Sequence, residues 1–374
     1  MKLIVDARVL SSRPCGVGMY AYRYIRELMK YPNIELTLLT DVVVSNEIKE
    51  LEAAGVPVVK YGKPIFRSIG VLGYFNFVKK ELRKRQPDLF WEPNCLVPIR
   101  LKGYEGALAV TLYDMFPLTM PECFSRLYRE YFRRGVESTV MQADLICYDS
   151  MEAKHDTELY FPAAKVGPSF VCYPVVDRTA ICGADAVKAG ADEKETKEKY
   201  FYYVGNVELR KGVDILLDAY RLYREEGGQK NLIVAGGLKD DCLKDKLEKM
   251  REVEGFSYVG YVSEEDKKKF FAECDTFVFP SRGEGFGIPL LEAMAAGKPV
   301  IASNLSIFQE IIGDCVRYFD VDAGPETRVR ALCDAMLEDQ VPDLRRYEAV
   351  LRCYDPEQRG RIFVERLLKL CGED

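Results

Sequence analysis

Residues 277–314 read FVFPSRGEGFGIPLLEAMAAGKPVIASNLSIFQEIIGD, and this stretch decides the fold. The apolar residues 276–279 at its start predict a buried strand of a parallel sheet. A glycine-rich turn follows, and Pro289 then lies in the first helical turn, where its missing N–H costs nothing. The helix stops at Gly297, and residues 300–302 form the next strand. The stretch therefore predicts a strand, a glycine loop, a helix and a strand in succession, which is the repeating unit of an α/β fold.

Two glutamates bracket this loop and indicate what it binds. The N-terminus of the helix offers free backbone N–H groups and the positive end of the helix dipole, which suits a phosphate. Glu284 lies in the loop and Glu292 lies inside the helix. A carboxylate accepts paired hydrogen bonds, so we expect both to hold sugar hydroxyls around a bound diphosphate. The alternative is a simple turn with a solvated glutamate and a capping glutamate.

The same residues resemble the signature of the retaining glycosyltransferases of family 4, which have the GT-B fold. Every fixed position of the pattern P-S-x-x-E-G-F-G-x-P-x-L-E-A-M-A-x-G-x-P-V is present. The resemblance implies an α/β protein of two Rossmann-like domains whose parallel sheets face each other across a cleft. It also implies a nucleoside-diphosphate sugar as donor, with Glu284 on the sugar and Glu292 on the ribose. The N–H groups near Gly287 and Ile288 are then expected on the diphosphate, and Gly285 and Phe286 are further candidate donor-binding residues.

Length and composition limit the alternatives. The chain has 374 residues, which suits two domains, and nearly half of them are apolar. Its net charge of −6 argues against nucleic-acid binding. Twelve scattered cysteines without a C-x-x-C pair, together with a single histidine, argue against structural zinc. The N-terminal residues 1–6 predict a strand rather than a signal peptide, and no apolar run reaches transmembrane length, so we expect a cytoplasmic protein.

The first half of the chain opens with a strand at residues 3–5 and a helix predicted at 19–30, separated by Gly16 and Gly18. These glycines fit the dinucleotide pattern G-x-G-x-x-A, which makes a nicotinamide enzyme one alternative. The gap between the strand and the glycines is long for that class. The region instead resembles the G-x-G loop of GT-B proteins, which implies that Gly16 and Gly18 lie near the donor diphosphate and the acceptor.

Tyr113 and Asp114 end a strand predicted at residues 107–112, at the carboxyl edge of the sheet where open α/β sheets place their ligands. The resembled family usually has His-Asp here, with the histidine facing the donor sugar. A tyrosine can offer a hydroxyl to a sugar or phosphate, but it cannot act as a neutral imidazole does. We therefore treat Tyr113 and Asp114 as candidate catalytic residues, and a protein that binds donor without transferring it as the alternative.

Basic residues on two predicted helices raise the question of an anionic partner. They cluster at residues 79–85 and along the arginine-rich helix predicted at 122–141. Solvated helix faces explain most such clusters. The alternatives are contact with the inner face of an anionic membrane and, for the second helix, contact with an acceptor such as a lipid diphosphate.

The second half begins a new strand–loop–helix series at residue 200. Gly205 and Asn206 follow its first strand, and Arg210 and Lys211 follow them. An arginine grips phosphate oxygens as a fork and a lysine acts as a point charge, so both suit a diphosphate. The family shows the same arrangement, with both cations on the donor diphosphate. It also cradles the nucleotide base on backbone that corresponds here to Tyr261 and Val262.

These patterns predict domain boundaries and the absence of a metal. We expect an acceptor-side domain at residues 1–177, a linker at 178–199, a donor domain at 200–354 and a last helix at 355–374 that returns to the first domain. Asp320 and Asp322 spell D-x-D, a metal–diphosphate signature of a different glycosyltransferase fold. The GT-B resemblance makes this a loop, so we predict no metal and no cofactor beyond the nucleotide sugar.

The resemblance implies transfer of a sugar to an acceptor hydroxyl with retention at the anomeric carbon. Arg210, Lys211 and the helix N-terminus at Gly287 are aimed at the charge that builds on the departing diphosphate. Glu284 completes the candidate catalytic set. The chain looks most like bacterial mannosyl- and rhamnosyltransferases of polysaccharide synthesis, so the expected acceptor is a glycan or a polyprenyl-linked sugar. The base, the sugar and the acceptor are not identified by the sequence.

Overall fold

The computed structural model describes residues 1–12, 14, 16–65, 70–97, 99–176 and 199–372. The chain divides into two compact units, which are described one at a time: Met1–Val175 with Asp355–Asp374, and Val176–Tyr354. Apart from its last position, the linker predicted at 178–199 lies outside the described residues.

The first unit contains a parallel sheet in the order β3-β2-β1-β4-β5-β6-β7. The order reverses between β1 and β4, so the carboxyl ends of these two strands form the switch point at which open α/β sheets bind ligands. The strands are β1 (Lys2–Asp6), β2 (Glu35–Thr40), β3 (Val58–Lys60), β4 (Leu89–Glu92), β5 (Ala107–Leu112), β6 (Leu145–Tyr148) and β7 (Ser169–Val171).

Helices cover both faces of this sheet. Along β1, Leu3 and Val5 belong to one apolar core and Ile4 to the other, because successive side chains of a strand point to opposite faces. In the C-terminal helix Pro356–Leu370, the ring of Phe363 lies 4.7 Å from that of Tyr24 in the first core. The other helices are α1 (Gly16–Leu28), α2 (Asn46–Ala53), α3 (Val71–Arg85), α4 (Phe116–Thr119), α5 (Arg126–Val140) and α6 (Met151–Tyr160).

Two helix starts differ from the prediction. The helix α1 begins at Gly16, so the G-x-G residues form its first turn and the predicted loop before residue 19 is wrong. Gly18 permits this start because an added Cβ would lie 2.6 Å from the carbonyl oxygen of Val9. The helix α5 begins at Arg126 rather than at residue 122, because the Ser125 hydroxyl caps it by accepting from a backbone N–H.

The second unit contains a parallel sheet in the order β10-β9-β8-β11-β12-β13. Its switch point lies between β8 and β11. The strands are β8 (Tyr200–Val204), β9 (Asn231–Ala235), β10 (Phe256–Gly260), β11 (Thr276–Phe279), β12 (Val300–Ser303) and β13 (Arg317–Phe319). The helices are α7 (Val213–Glu225), α8 (Lys244–Met250), α9 (Glu264–Glu273), α10 (Ile288–Ala295), α11 (Ser306–Ile312), α12 (Pro325–Leu337) and α13 (Leu344–Arg352).

Both units are therefore Rossmann-like, with parallel sheets between helices, and the predicted fold class is confirmed. The strand, glycine loop, helix and strand predicted from residues 276–302 are β11, α10 and β12 with the loop between them. In the described part of the chain, every helix is too short or too polar to span a bilayer.

Candidate functional site

The loops that follow β8 and β11 touch at the switch point of the second sheet. A Cβ added at Gly212 would lie 1.9 Å from the carbonyl oxygen of Pro280, so the two backbones are in contact. The φ of Gly212 is +66°, a conformation that glycine adopts at little cost. The backbone N–H of Arg282 also donates to the carbonyl of Arg210 at 2.8 Å. The contact brings the two predicted donor-binding loops together.

Lys211 and Glu284 form an ion pair across these loops. The ammonium nitrogen of Lys211 lies 2.6 and 2.5 Å from the two carboxylate oxygens of Glu284. Their side chains are 16% and 7% exposed, so little water screens the pair. The buried Ser281 hydroxyl donates to Glu284 Oε1 at 2.7 Å. Both candidate catalytic residues are thus fixed in place, and each orients the other.

Arg210 lies in the loop after β8 and also contacts the loop after β11. Its guanidinium donates to the carbonyl of Gly283 at 2.7 Å and to Glu208 Oε1 at 2.6 Å. The side chains of Arg210 and Glu208 are about one fifth exposed. Arg210 therefore supports the glycine loop as well as supplying charge, a structural role that the sequence did not indicate.

Sequence reasoning missed a second arginine that braces the loops. The guanidinium of Arg282 donates to both carboxylate oxygens of Asp214, at 2.6 and 2.7 Å. Asp214 lies in the first turn of α7, where its charge also suits the helix dipole. Such a bidentate pair fixes geometry as well as charge. In the sequence, Arg282 directly precedes Gly283, and Asp214 lies two residues after Gly212.

The N-terminus of α10 lies at the end of the glycine loop. Gly287 precedes the helix with a φ of +108°, and an added Cβ would lie 2.9 Å from the ring of Phe308. The ring of Phe286 is buried and meets the ring of Tyr354 edge-on at 5.7 Å. Gly285 and Ile288 are partly exposed. Donor contacts from Phe286 are therefore expected from its backbone rather than from its ring.

Glu292 is buried and pairs with a lysine that the sequence analysis did not select. Lys267 on α9 donates to Glu292 Oε1 at 2.9 Å and to Glu264 at 2.8 Å. Burial by itself lowers the pKa of Lys267, but the charges of Glu292 and Glu264 outweigh it and raise the pKa overall. The carboxylate expected on the ribose is thus held by Lys267. The signature begins after α9 and does not include Lys267, so the motif did not reveal this residue.

The other predicted donor residues of the second unit lie at strand ends. The N–H of Gly205 donates to Ala235 O at 3.0 Å, and the carbonyl of the exposed Asn206 accepts from the Tyr203 hydroxyl at 2.8 Å. Burial, together with the charge of Glu284, raises the pKa of Tyr203, which keeps this donor neutral. Tyr261 is exposed and Val262 is partly buried; both follow β10, two strands away from β8.

In the first unit, the predicted residues lie around β5 and α1. Tyr113 is buried, and its hydroxyl donates to the carbonyl of Pro93 at 2.9 Å. Asp114 is partly buried and accepts from the N–H of Phe116 at 3.3 Å. Gly16 and Gly18 lie in the first turn of α1. Contact of Tyr113, Asp114 and these glycines with a donor stays a prediction.

The first switch point holds an acidic pair that sequence reasoning missed. Asp6 and Glu92 end the adjacent strands β1 and β4, and both are fully buried. One oxygen of Asp6 accepts from the Tyr74 hydroxyl at 2.7 Å, and one of Glu92 accepts from the Asn94 N–H at 3.0 Å. Within the described residues, the other oxygen of each carboxyl is buried without a protein donor. Burial, followed by the charge of Asp6, raises the pKa of Glu92 well above its usual range.

Comparisons with known proteins show what the chain is similar to. Residues 188–349 match the family model described as glycosyl transferases group 1. Over 244 residues the chain is 29% identical to O-antigen chain mannosyltransferase B of Escherichia coli, a match that covers 62% of this chain and 61% of that protein. The chain thus spans about three fifths of the length of this curated relative.

Solved structures of two bacterial proteins are similar over nearly the whole chain. HepE of Anabaena, solved with UDP and glucose, has a TM-score of 0.75 at 17% identity, covering 99% of this chain and all of its own. Sucrose-phosphate synthase of Thermosynechococcus elongatus has a TM-score of 0.77 at 15% identity, covering 99% of this chain and 98% of its own. These similarities confirm the fold. Residues 188–349 of this chain are thus similar to the glycosyl transferases group 1 family.

Proposed function

We propose that the protein is a retaining glycosyltransferase that moves a hexose from a nucleoside-diphosphate sugar to an acceptor hydroxyl. The ion pair of Lys211 and Glu284 supports this proposal most directly, because it joins a cation suited to phosphate with a carboxylate suited to sugar hydroxyls. An ammonium has three N–H donors, and the carboxylate occupies two of them. The third remains for a phosphate oxygen, so Lys211 would bridge the two halves of the donor.

The positive charge in the second unit would favour the transition state over the bound donor. Departure of the diphosphate builds negative charge on its oxygens. Lys211 and the N-terminus of α10 would meet this charge in a partly buried setting, where electrostatic stabilisation is strongest. Glu284 is already bonded to Lys211 and Ser281, so we assign it to the sugar hydroxyls rather than to nucleophilic attack. We propose a same-face route, in which the leaving phosphate takes the proton of the acceptor.

The donor proposed first is a mannose nucleotide, followed by rhamnose and glucose nucleotides. The name of the Escherichia coli relative, an O-antigen chain mannosyltransferase, supports mannose as the first choice. The same name supports a glycan chain as the acceptor, and we also propose that this chain is linked to a polyprenyl lipid. A lipid-linked acceptor would bring the protein to the inner face of a membrane, and we propose that peripheral location. We also propose that transfer needs no metal ion, because cationic side chains would meet the diphosphate.

A thermal-shift screen against UDP-, GDP- and dTDP-sugars tests the donor assignment, with NADH as a control ligand. We expect one nucleotide sugar to raise the unfolding temperature and NADH to leave it unchanged. Stabilisation by NADH alone would contradict the proposal. The donor found in this way is then incubated with glycan acceptors in EDTA, and NMR of the product reports the anomeric configuration. Inverted product, or transfer that stops in EDTA, would refute the corresponding part of the mechanism.

A further inference from the structure

A cationic cavity lies in the first unit, beside the helix α5. Its volume is about 520 Å³, which lies within the range of ligand pockets. Four arginines line it, Arg126, Arg129, Arg133 and Arg134, together with one carboxylate, Glu130. We call this cavity the arginine pocket. It lies in none of the loops described above, so the donor chemistry proposed for the second unit does not account for it.

The charges of the arginine pocket are not balanced by the described residues. Arg133 and Arg134 both donate to Glu130, at 3.0 and 2.6 Å. Arg126 and Arg129 have no carboxylate or hydrogen-bond acceptor within the described residues, and the Nε of Arg129 is buried without a partner. A buried donor that leaves its hydrogen bonds unmade costs free energy. The pocket thus offers two unpaired guanidinium groups to an anion.

Apolar residues also line the arginine pocket. Pro117, Leu118 and Pro121 line it, and they come from the short helix α4 and the turn after it. Tyr160 also lines the pocket, and its hydroxyl donates to the carbonyl of Leu118 at 3.3 Å. A free inorganic anion would leave these apolar residues uncovered. A ligand with a charged head and an apolar chain would contact both the arginines and the apolar residues.

We propose that the arginine pocket binds a phosphate or diphosphate group attached to an apolar chain. Planar guanidinium groups bind phosphate oxygens in pairs, and unpaired arginines three residues apart on one helix face can share one such group. This is the chemistry of a lipid-linked sugar acceptor, and that identification rests on the proposed function. The pocket would hold the head group of the acceptor while its sugar receives the transferred hexose.

Calorimetric titration of the full-length protein with farnesyl diphosphate tests this proposal. We expect wild-type protein to bind farnesyl diphosphate, to bind inorganic pyrophosphate more weakly and not to bind farnesol. The double variant Arg126→Gln/Arg129→Gln should bind farnesyl diphosphate at least about tenfold more weakly, because it loses charge-assisted hydrogen bonds. The control is Arg361→Gln, an exposed arginine of the C-terminal helix beside Glu365, which should bind as wild type does.

Equal affinity in the wild type and the double variant would overturn the proposal, provided that both melt at the same temperature. Binding of wild-type protein to phosphatidylglycerol vesicles without binding of farnesyl diphosphate would also overturn it, because the arginines would then face membrane head groups. Donor binding by the wild type is measured separately in the nucleotide-sugar screen. If the protein binds a nucleotide sugar but not farnesyl diphosphate, the acceptor proposal fails and the glycosyltransferase proposal stands. If it binds farnesyl diphosphate but no nucleotide sugar, the glycosyltransferase proposal fails.

Discussion

Lys211 lies with its ammonium nitrogen 2.6 and 2.5 Å from the two carboxylate oxygens of Glu284, although 73 residues separate them in the chain. The pair joins the loop after β8 to the loop after β11. Removing either partner leaves the other charge in a site from which water is largely excluded. Both stability and donor chemistry should therefore respond to changes at this pair.

Lys211→Ala and Glu284→Ala should each lower turnover by about a hundredfold or more, because each removes a group aimed at the donor. Each should also lower the free energy of unfolding by about 1 to 3 kcal/mol, the usual cost of an unpaired buried polar group. Steady-state kinetics and urea unfolding measure the two effects. Arg221→Ala on the exposed face of α7 is the control. Near wild-type turnover in both site variants would contradict the assignment.

Lys267→Met should raise the KM for the donor with a smaller effect on kcat, because Glu292 loses the ammonium that orients it. Lys268→Met is the matched control: it makes the same change one residue away, at an exposed position of the same helix. Initial rates over a range of donor concentrations separate the two constants. If Lys267→Met and Lys268→Met behave alike, Lys267 does not position Glu292 for the donor.

Gly212→Ala should abolish donor binding and destabilise the second unit, because its Cβ would lie 1.9 Å from the Pro280 carbonyl oxygen. Gly227→Ala is the comparison. Gly227 also has a positive φ, +87°, but an added Cβ would meet nothing within 4 Å. That variant should lower the free energy of unfolding by only about 1 kcal/mol, the cost of placing an alanine at a positive φ. Thermal unfolding and donor titration distinguish the variants, and equal losses would show that the contact between the loops is unimportant.

Glu92→Gln should weaken the pH dependence of stability. Burial and the charge of Asp6 raise the pKa of Glu92 well above its usual range, so the folded protein holds a proton that the unfolded chain releases. The stability that this proton contributes is fully present below the pKa of Glu92 in the unfolded chain. It is lost as the pH rises towards the pKa of Glu92 in the folded protein, at no more than about 1.4 kcal/mol per pH unit. A glutamine keeps a neutral donor beside Asp6 at every pH.

Urea unfolding between about pH 5 and about pH 8 measures this difference. The free energy of unfolding should fall less steeply with pH in Glu92→Gln than in the wild type. Glu365→Gln, at an exposed position in the same unit, should keep the wild-type slope. Parallel slopes for Glu92→Gln and the wild type would contradict a raised pKa of Glu92 in the folded protein.

Local pattern was enough to predict the elements around the signature. The apolar run before Pro280, the glycines and Pro289 each act on their own backbone, so β11, α10 and β12 appear where the sequence predicted them. The starts of α1 and α5 were less predictable. Gly18 and Ser125 decide them through a contact and a capping bond, and neither changes the apolar spacing that marks a helix.

The sequence by itself determined the fold class, the family signature and the residue types suited to a nucleotide sugar, because these depend on order and spacing along the chain. The tertiary structure decided that Lys211 contacts Glu284, that Lys267 holds Glu292 and that Asp6 lies beside Glu92. Each of these pairs joins residues that are distant in sequence. Their meeting depends on which strands become neighbours in a sheet, and hydrophobic periodicity does not encode that choice.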